Sequence, residues 1–261
     1  MKVAVTGKGG VGKSTLSALM ARVLRDAGRK VLLIDADPDM NAATILGVPP
    51  ERSITPIVEL KELIAERTGT EVGKSAPFFK MNPKVSDIPE KYCIDQDGIK
   101  LLVMGTILKG GGGCACPENA FLKSLLAHLV INRKEWVILD MEAGIEHLGR
   151  GTALGVGRML IVAEPSRTSV ETAFRIKKLA ADVGMERLGV VGNKIQGPEE
   201  EDFLKERLQG FEILGFLPYT EAIRRINMSD IDALSIDGEA LEPVRGILRS
   251  LVGTEEQLPI G

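Results

Sequence analysis

A glycine-rich loop near the N-terminus constrains this chain more than any other feature of its sequence. Residues 7–15 read Gly-Lys-Gly-Gly-Val-Gly-Lys-Ser-Thr and match the pattern G-x-x-x-x-G-K-[ST] at every fixed position. The loop follows an apolar run at residues 2–6 and leads into residues 11–27, where apolar residues recur at helical spacing. The sequence therefore predicts a strand, a phosphate-binding loop and a helix in succession, which is the context that this motif requires.

The residue types of the loop indicate how it would bind ATP. Glycines let backbone amides turn toward phosphate oxygens, and the start of the helix adds partial positive charge. We expect Lys13 to reach the β- and γ-phosphates and the Ser14 hydroxyl to bind Mg²⁺. The nucleotide-binding residues predicted from the loop are Gly9, Gly10, Val11, Gly12, Lys13, Ser14 and Thr15.

Short apolar strands alternate with helical patterns along the chain. Further strands are predicted at residues 30–35, 100–104, 136–140, 159–163, 188–192 and 213–217, and further helices at 57–66, 120–131, 169–183, 199–208 and 239–251. The strands are almost continuously apolar, which is typical of a parallel sheet buried on both faces. The pattern predicts an α/β fold: a doubly wound, mostly parallel sheet of about seven to eight strands with helices on both faces.

The 261 residues are expected to form a single P-loop NTPase domain. Two stretches interrupt its alternating pattern. Residues 68–98 are polar and contain three prolines, which predicts an irregular insertion. Residues 109–117 contain a run of glycines followed by Cys-Ala-Cys-Pro, which predicts a glycine-rich Cys-x-Cys loop.

Charge and hydrophobicity narrow the possible partners. The formal net charge of −3 provides no overall attraction to nucleic acid or to an anionic membrane. The sequence contains no apolar run near the roughly 20 residues of a spanning helix, and its N-terminus does not resemble a signal peptide. We expect a cytoplasmic protein with neither nucleic acid nor membrane as partner. Thiols stay reduced there, so the three cysteines are metal ligands or bystanders rather than disulfides.

Acidic residues follow two of the predicted strands. Residues 136–140 are four apolar residues and then Asp140, the Walker B pattern, and Asp140 is expected to hold Mg²⁺ directly or through water. Asp35 and Asp37 close the strand at residues 30–35. Carboxylates at the carboxyl edge of a sheet, beside a phosphate loop, suit a nucleotide and metal site. A solvated acidic turn is the alternative for Asp35 and Asp37.

The phosphate loop contains a second lysine, Lys8, within Lys-Gly-Gly-Val-Gly-Lys-Ser. This form resembles the deviant Walker A class, the MinD/ParA/nitrogenase-iron-protein/ArsA superfamily. The resemblance implies a homodimer that encloses ATP, with Lys8 reaching the partner's nucleotide. A cation supplied in trans makes hydrolysis depend on dimerisation, as an arginine finger does. The alternative is a surface lysine at a variable position of the loop.

The same resemblance assigns roles to the strand ends. It implies that Asp37 positions or activates the attacking water and that Asp35 supports the Mg²⁺ shell. It also implies that Gly144 senses the γ-phosphate, that Asn193 reads the adenine and that Pro218 contacts the base through its backbone. The predicted catalytic residues are accordingly Lys8, Lys13 and Asp37.

The cysteine pair predicts a second metal. Cys114 and Cys116 stand just before a predicted helix, and thiols near a helix N-terminus have lowered pKa values, which favours metal binding. One pair from each of two subunits would supply four sulfurs, a set that suits tetrahedral Zn²⁺ or square-planar Ni²⁺. The alternative is a pair of structural cysteines packed under the helix.

Three stretches carry a narrower resemblance, to the CooC-type ATPases. They are Met104-Gly105, residues 109–119 with both cysteines, and residues 140–148, which read Asp-Met-Glu-Ala-Gly-Ile-Glu-His-Leu. These ATPases serve nickel insertion into carbon monoxide dehydrogenase and acetyl-CoA synthase. The resemblance implies nickel or zinc bound between subunits by Cys114 and Cys116, ATP cycling linked to metal release, and one of those enzymes as client.

Two other functions stay open on the sequence. A positioning ATPase of the MinD/ParA kind would act on membrane or DNA, although the C-terminal tail contains Glu255-Glu256 rather than a basic cluster. An iron–sulfur carrier or reductase would use cysteines differently, since none accompanies residues 140–144. Cys93 is interpreted as a bystander. His147 is either a transient metal ligand or a hydrogen-bonded surface histidine.

Overall fold

A computed structural model of the protein describes residues 1–52, 54–72, 78–105, 117–143, 150–153, 155–228 and 230–253. Its strands are β1 Lys2–Gly7, β2 Val31–Ala36, β3 Ile94–Gln96, β4 Ile99–Val103, β5 Trp136–Met141, β6 Arg158–Ala163, β7 Leu188–Ile195 and β8 Glu212–Pro218. Its α-helices are α1 Lys13–Asp26, α2 Ala42–Ile45, α3 Lys61–Thr68, α4 Ile88–Tyr92, α5 Pro117–Asn132, α6 Arg150–Ala153, α7 Arg167–Asp182, α8 Pro198–Arg207, α9 Glu221–Asn227 and α10 Glu242–Val252.

The described strands form one eight-stranded sheet in the order β3-β4-β2-β5-β1-β6-β7-β8. Neighbouring strands are parallel except for β3, which pairs with β4 in the antiparallel sense. The strand β1 lies between β5 and β6, so the chain winds outward from it in both directions. The carboxyl ends of the parallel strands therefore meet at one edge, where such folds bind ligands. The predicted fold class is confirmed.

Alternate residues of each central strand pack on opposite faces of the sheet. Val3 and Val5 of β1 join the core under α1 and α10, whereas Ala4 joins the core under α5 and α7. Every residue of β2 and of β5 is buried. This two-sided burial is the physical reason for the continuous apolar runs seen in the sequence.

The apolar face of α10 is part of the core. Val244, Ile247, Leu248 and Leu251 are each at most 3% exposed and pack in the same cluster as α1. Their helical spacing therefore reflects packing within the domain rather than a face open to another surface. Among the described residues, no helix is both long and apolar enough to cross a membrane.

Several predicted element boundaries were wrong because local backbone geometry interrupts the periodic pattern. The first helix begins at Lys13 rather than at residue 11, since Gly12 has a φ of 94°. The helix predicted at 57–66 is a 3₁₀ turn, Ile57–Glu59, followed by α3, with a nonhelical Leu60 between them. The helix predicted at 239–251 likewise begins as a 3₁₀ turn, Glu239–Leu241.

The stretch 68–98 is not irregular throughout, which corrects the expectation drawn from its prolines. Pro89 stands in the first turn of α4, where a proline is tolerated because the first amides of a helix have no intrahelical partner. Ile88 is fully buried and anchors this helix in the core beside α5. The short edge strand β3 follows. Residues 73–77 of the stretch lie outside the described part.

Helices α2, α6 and α9 were not predicted. Each has at most seven residues, too few to display a helical hydrophobic period. A capping signal does mark α9, because the Thr220 side chain accepts a hydrogen bond from the amide of Ile223.

Candidate nucleotide site

The phosphate loop connects β1 to α1 with glycines in conformations that other residues disfavour. Gly12 has a φ of 94° and stands immediately before the first residue of α1. A Cβ atom at this position would lie 2.3 Å from Nδ2 of Asn193. The Gly12 position therefore excludes a side chain for two reasons, its backbone angle and its close neighbour. The loop holds the N-terminus of α1 at the carboxyl edge of the sheet.

A cavity of about 420 Å³ opens in front of this helix end. Its wall is formed by Gly10, Gly12, Lys13, Ser14, Thr15, Asp37, Asp39, Asn41, Thr44, Ile45, Lys194, Ile226 and Asn227. The backbone amides and dipole of a helix N-terminus favour an anion, so the cavity suits a polyphosphate. The loop residues predicted to bind nucleotide thus line or adjoin one cavity.

Lys13 and Asp37 meet inside the site. The Nζ atom of Lys13 lies 3.2 Å from Oδ2 of Asp37, and both side chains are buried. The sequence predicted both residues for the same reaction but gave no reason for direct contact. The ion pair shows that the lysine can reach the loop after β2 across the phosphate cavity.

Asp35 is buried at the end of β2 and has both carboxylate oxygens in use. One accepts a hydrogen bond from the amide of Asp37 at 3.1 Å, and the other accepts from the amide of Ala42 at 3.0 Å. Burial raises the pKa of Asp35 to about 6, although these two hydrogen bonds oppose the shift. The contacts favour a role in shaping the loop at residues 37–42 over direct binding of a metal.

Asp140 is paired with Asp35 in the register of β5 and β2, yet its environment differs. The residue is fully buried, and neither carboxylate oxygen has a hydrogen-bond partner within the described part of the chain. Burial raises the pKa of Asp140 to about 7, and the nearby Ser14 hydroxyl offsets part of the rise. An orphaned buried carboxylate beside a hydroxyl is the oxygen donor set that Mg²⁺ prefers. Ser14 and Asp140 therefore fit the predicted magnesium site.

Asn193 forms a hydrogen bond with the phosphate loop. Its Nδ2 donates to the backbone oxygen of Val11 at 2.6 Å, and the residue is 3% exposed. Lys194 follows with a φ of 61° at an irregularity in the pairing of β7 with β8. Opposite this irregularity, Pro218 pairs with Ile195 at the end of β8. Asn193 therefore lies against the phosphate loop through a hydrogen bond that was not predicted, and Pro218 lies at the neighbouring strand end. The predicted contacts of both residues with adenine stay a prediction.

Lys8 contacts its own chain. Its Nζ donates to Oγ1 of Thr168 at 2.9 Å and lies 3.8 Å from Oε1 of Glu164. Lys194 contacts the other carboxylate oxygen of Glu164 at 3.3 Å. Glu164 and Thr168 carry no sequence motif, so only the folded arrangement identifies them.

Asn227 is another residue that sequence reasoning missed. Its Oδ1 accepts a hydrogen bond from the Thr15 hydroxyl at 2.9 Å, and Asn227 lines the nucleotide cavity. The residue ends α9, a helix that was not predicted. The capping threonine at position 220 was the one sequence signal that pointed to this element.

The predicted transition-metal site depends on residues beyond the described part of the chain. Cys114, Cys116, Gly144 and His147 lie outside the described residues. Within the part that the structure covers, no three or more His, Cys, Asp or Glu side chains are grouped to hold a metal ion. Cys93 directly follows α4 and is half-buried, and burial raises the pKa of its thiol to about 11.

Comparison with known proteins agrees with this geometry. Residues 2–232 match the family described as the CobQ/CobB/MinD/ParA nucleotide binding domain. The chain belongs to this family. It is therefore a P-loop ATPase, and the cavity in front of α1 is lined by its phosphate loop.

Two relatives match nearly the full length of the chain. The carbon monoxide dehydrogenase accessory protein CooC of Rhodospirillum rubrum is 43% identical over 97% of this chain and 96% of its own. An uncharacterized ATP-binding protein of Methanocaldococcus jannaschii is 44% identical over 97% of this chain and 98% of its own. The predicted resemblance to CooC-type ATPases is confirmed at the level of sequence.

Solved structures share the fold. The chain of the MinC:MinD cell division complex of Aquifex aeolicus superposes with a TM-score of 0.68 at 23% identity, covering 99% of this chain and 98% of that one. At this identity the likeness establishes the fold and leaves function to the site residues.

Proposed function

We propose that this ATPase is a metallochaperone that binds nickel or zinc at Cys114 and Cys116 of two subunits and assists nickel insertion into carbon monoxide dehydrogenase or acetyl-CoA synthase. The observation that carries the proposal is the 43% identity over 97% of the chain to a protein named as a carbon monoxide dehydrogenase accessory protein. Four thiolates from two subunits would form a complete site for a soft divalent ion, whereas one pair would not.

Hydrogen bonds connect the nucleotide site to the segment that leads to the cysteines. The backbone oxygen of Asp35 accepts from the amide of Met104 at 2.8 Å and from that of Gly105 at 3.3 Å. The carboxylate of the same residue holds the loop that carries Asp37. Asp35 thus contacts both the loop that carries Asp37 and residues 104–105, which precede the predicted cysteine loop. This contact supports a coupling between the ATP cycle and metal release.

The ATPase reaction would use the residues gathered around the cavity. Lys13 would bind the β- and γ-phosphates, and Asp37 would orient the attacking water once Lys13 has turned to the phosphates. Ser14 and Asp140 would hold Mg²⁺, which neutralises charge on the phosphate oxygens when bound. Lys8 of a second subunit would add a further cation at the nucleotide. A homodimer is therefore part of the proposal.

Nickel binding under anaerobic conditions, with mass read by light scattering, tests the metallochaperone. We expect one nickel per dimer in the wild type and none in Cys114→Ala/Cys116→Ala, which retains Cys93 and an intact ATP site. Nickel binding that the double substitution leaves unchanged would overturn the proposal. A brown protein that absorbs near 400 nm after anaerobic purification would instead indicate an iron–sulfur carrier.

A positioning ATPase is the second candidate, because the family to which the chain belongs includes the MinD and ParA nucleotide binding domains. Co-sedimentation with anionic liposomes and with DNA, in the presence of ATP, separates the two. The metallochaperone proposal expects no ATP-dependent binding to either. The burial of the α10 apolar face in the core supports that expectation, because a surface helix needs such a face to enter a membrane interface.

A further inference from the structure

The registers of three neighbouring strands bring two lysines to one carboxylate. Gly7 of β1 is paired with Val162 of β6, and Ala163 of β6 is paired with Gly192 of β7. Lys8 follows the first pair, and Lys194 lies two residues beyond the second. Glu164 follows β6, the strand between β1 and β7, so it emerges between the two lysines. The strand order therefore brings Glu164 close to Lys8 and Lys194, and no local sequence pattern predicts this contact.

Each oxygen of the Glu164 carboxylate faces one of the lysines. Oε1 lies 3.8 Å from the Nζ of Lys8, and Oε2 lies 3.3 Å from the Nζ of Lys194. Lys194 also donates to the backbone oxygen of Gly10 at 2.7 Å, inside the phosphate loop. Lys8 donates in addition to the hydroxyl of Thr168 in the first turn of α7.

The turn that carries Glu164 is fixed by its own hydrogen bonds. The amide of Glu164 donates to the Ser169 hydroxyl oxygen at 3.1 Å, and the Ser166 side chain caps α7 by accepting from the Ser169 amide. The end of β1 also packs closely against β6, since a Cβ atom at Gly7 would lie 2.4 Å from the backbone oxygen of Val162. The carboxylate therefore has a defined position relative to the phosphate loop.

We propose that Glu164 is a positioning residue for the ATPase reaction: it holds Lys8 against its own chain until a second subunit draws the lysine to its nucleotide. The inference rests on the proposed action of Lys8 in trans. Lys8 is 41% exposed and Glu164 24% exposed, so water weakens their attraction. An exposed ion pair shifts an equilibrium by about fivefold or less, which suits a contact that must open in every cycle.

The dependence of the ATPase rate per chain on protein concentration tests this role. We expect the wild-type rate to rise with concentration, because an active dimer needs both lysines. In Glu164→Gln, the protein concentration that gives half of the maximal ATPase rate per chain should fall by about threefold to twentyfold, since two such contacts open per dimer. Thr168→Val removes the other acceptor of Lys8, leaves the Glu164–Lys194 pair intact, and should shift the curve in the same direction.

Glu171→Gln is the matched control. It also removes one negative charge, from α7, which begins three residues after Glu164. Glu171 pairs with the exposed Arg167 rather than with Lys8, so its curve should match that of the wild type. Amine labelling of the nucleotide-free monomer, read by mass spectrometry, provides a readout independent of dimerisation. Lys8 should react faster in Glu164→Gln and in Thr168→Val than in the wild type, relative to Lys205 of the same sample.

The outcomes separate this inference from the proposed function. A concentration-dependent wild-type rate, with curves and Lys8 labelling unchanged in Glu164→Gln and Thr168→Val, would overturn the positioning role alone. A wild-type rate per chain that does not depend on concentration would overturn the action of Lys8 in trans, and the positioning role with it. If Glu164→Gln does not fold, Thr168→Val decides, because Thr168 is exposed and leaves the core untouched.

Discussion

The ammonium of Lys13 lies 3.2 Å from a carboxylate oxygen of Asp37, and both side chains are buried beside the phosphate cavity. The phosphates of ATP would compete with Asp37 for this lysine. Nucleotide binding would therefore break the pair and free the carboxylate for the water molecule that attacks. The contact thus couples occupancy of the cavity to the position of Asp37.

Asp37→Asn should bind ATP more tightly while hydrolysing it more slowly. The substitution removes both the competitor for Lys13 and a negative charge near the phosphates, so we expect affinity to rise about threefold to tenfold. Loss of a group that positions or activates water should reduce hydrolysis about a hundredfold or more. Calorimetry with ATP and a phosphate-release assay measure the two effects. Asp39→Asn, on the same loop but exposed, should change affinity far less, and weaker ATP binding by Asp37→Asn would contradict the competition.

Asp140→Asn should abolish the stabilisation that Mg²⁺ adds to bound ATP. Its carboxylate is buried without a hydrogen-bond partner among the described residues, so a cation is the partner that its environment lacks. A tightly bound ligand at a hundred times its dissociation constant adds about 2.7 kcal/mol to the free energy of unfolding. Thermal unfolding is measured with ATP present, once in EDTA and once in excess Mg²⁺. The midpoint temperature should be higher in Mg²⁺ for the wild type and almost the same in both conditions for the variant. Equal increments in both proteins would show that Asp140 does not hold the metal.

Asn193→Ala should weaken binding of ligands that have no base. Its Nδ2 donates to the backbone oxygen of Val11 in the phosphate loop, a contact that serves the phosphates whatever the base. Loss of one such hydrogen bond should reduce the affinity for inorganic triphosphate about threefold to tenfold. ATP should lose at least as much, since the predicted adenine contact is lost as well. If triphosphate binding is unchanged and only ATP binding falls, the residue acts through the base alone.

Cys93 should resist alkylation in the native protein. Burial raises the pKa of this thiol to about 11, so the thiolate that reacts is about a hundredfold scarcer than for the free side chain. In Cys114→Ala/Cys116→Ala, Cys93 is the sole remaining cysteine of the sequence. Iodoacetamide at pH 8 should label it roughly a hundredfold more slowly than in guanidinium, and about tenfold faster when the pH is raised to 9. Native labelling as fast as in denaturant would show that the thiol is accessible and ionisable.

The sequence by itself determined the fold class and the local parts of the nucleotide site. The strand, loop and helix at residues 2–26 follow from contiguous glycines and one apolar period, and Asp140 follows from the apolar run before it. Short elements such as α4 and β3 were not predicted, because a few residues cannot display a hydrophobic period and the proline in α4 suggested irregular structure. The family resemblance could be found in the sequence because each of its motifs consists of contiguous residues.

Tertiary structure alone decided which of these residues touch. Glu164 meets Lys8 and Lys194, Asn193 reaches Val11, and Asn227 reaches Thr15 across separations of up to 212 positions. The contacts of Glu164 and Asn193 depend on the order and register of β1, β6 and β7. The contact of Asn227 depends on the packing of α9 against α1. No window of sequence contains that information, because register is a property of neighbouring strands rather than of either strand alone.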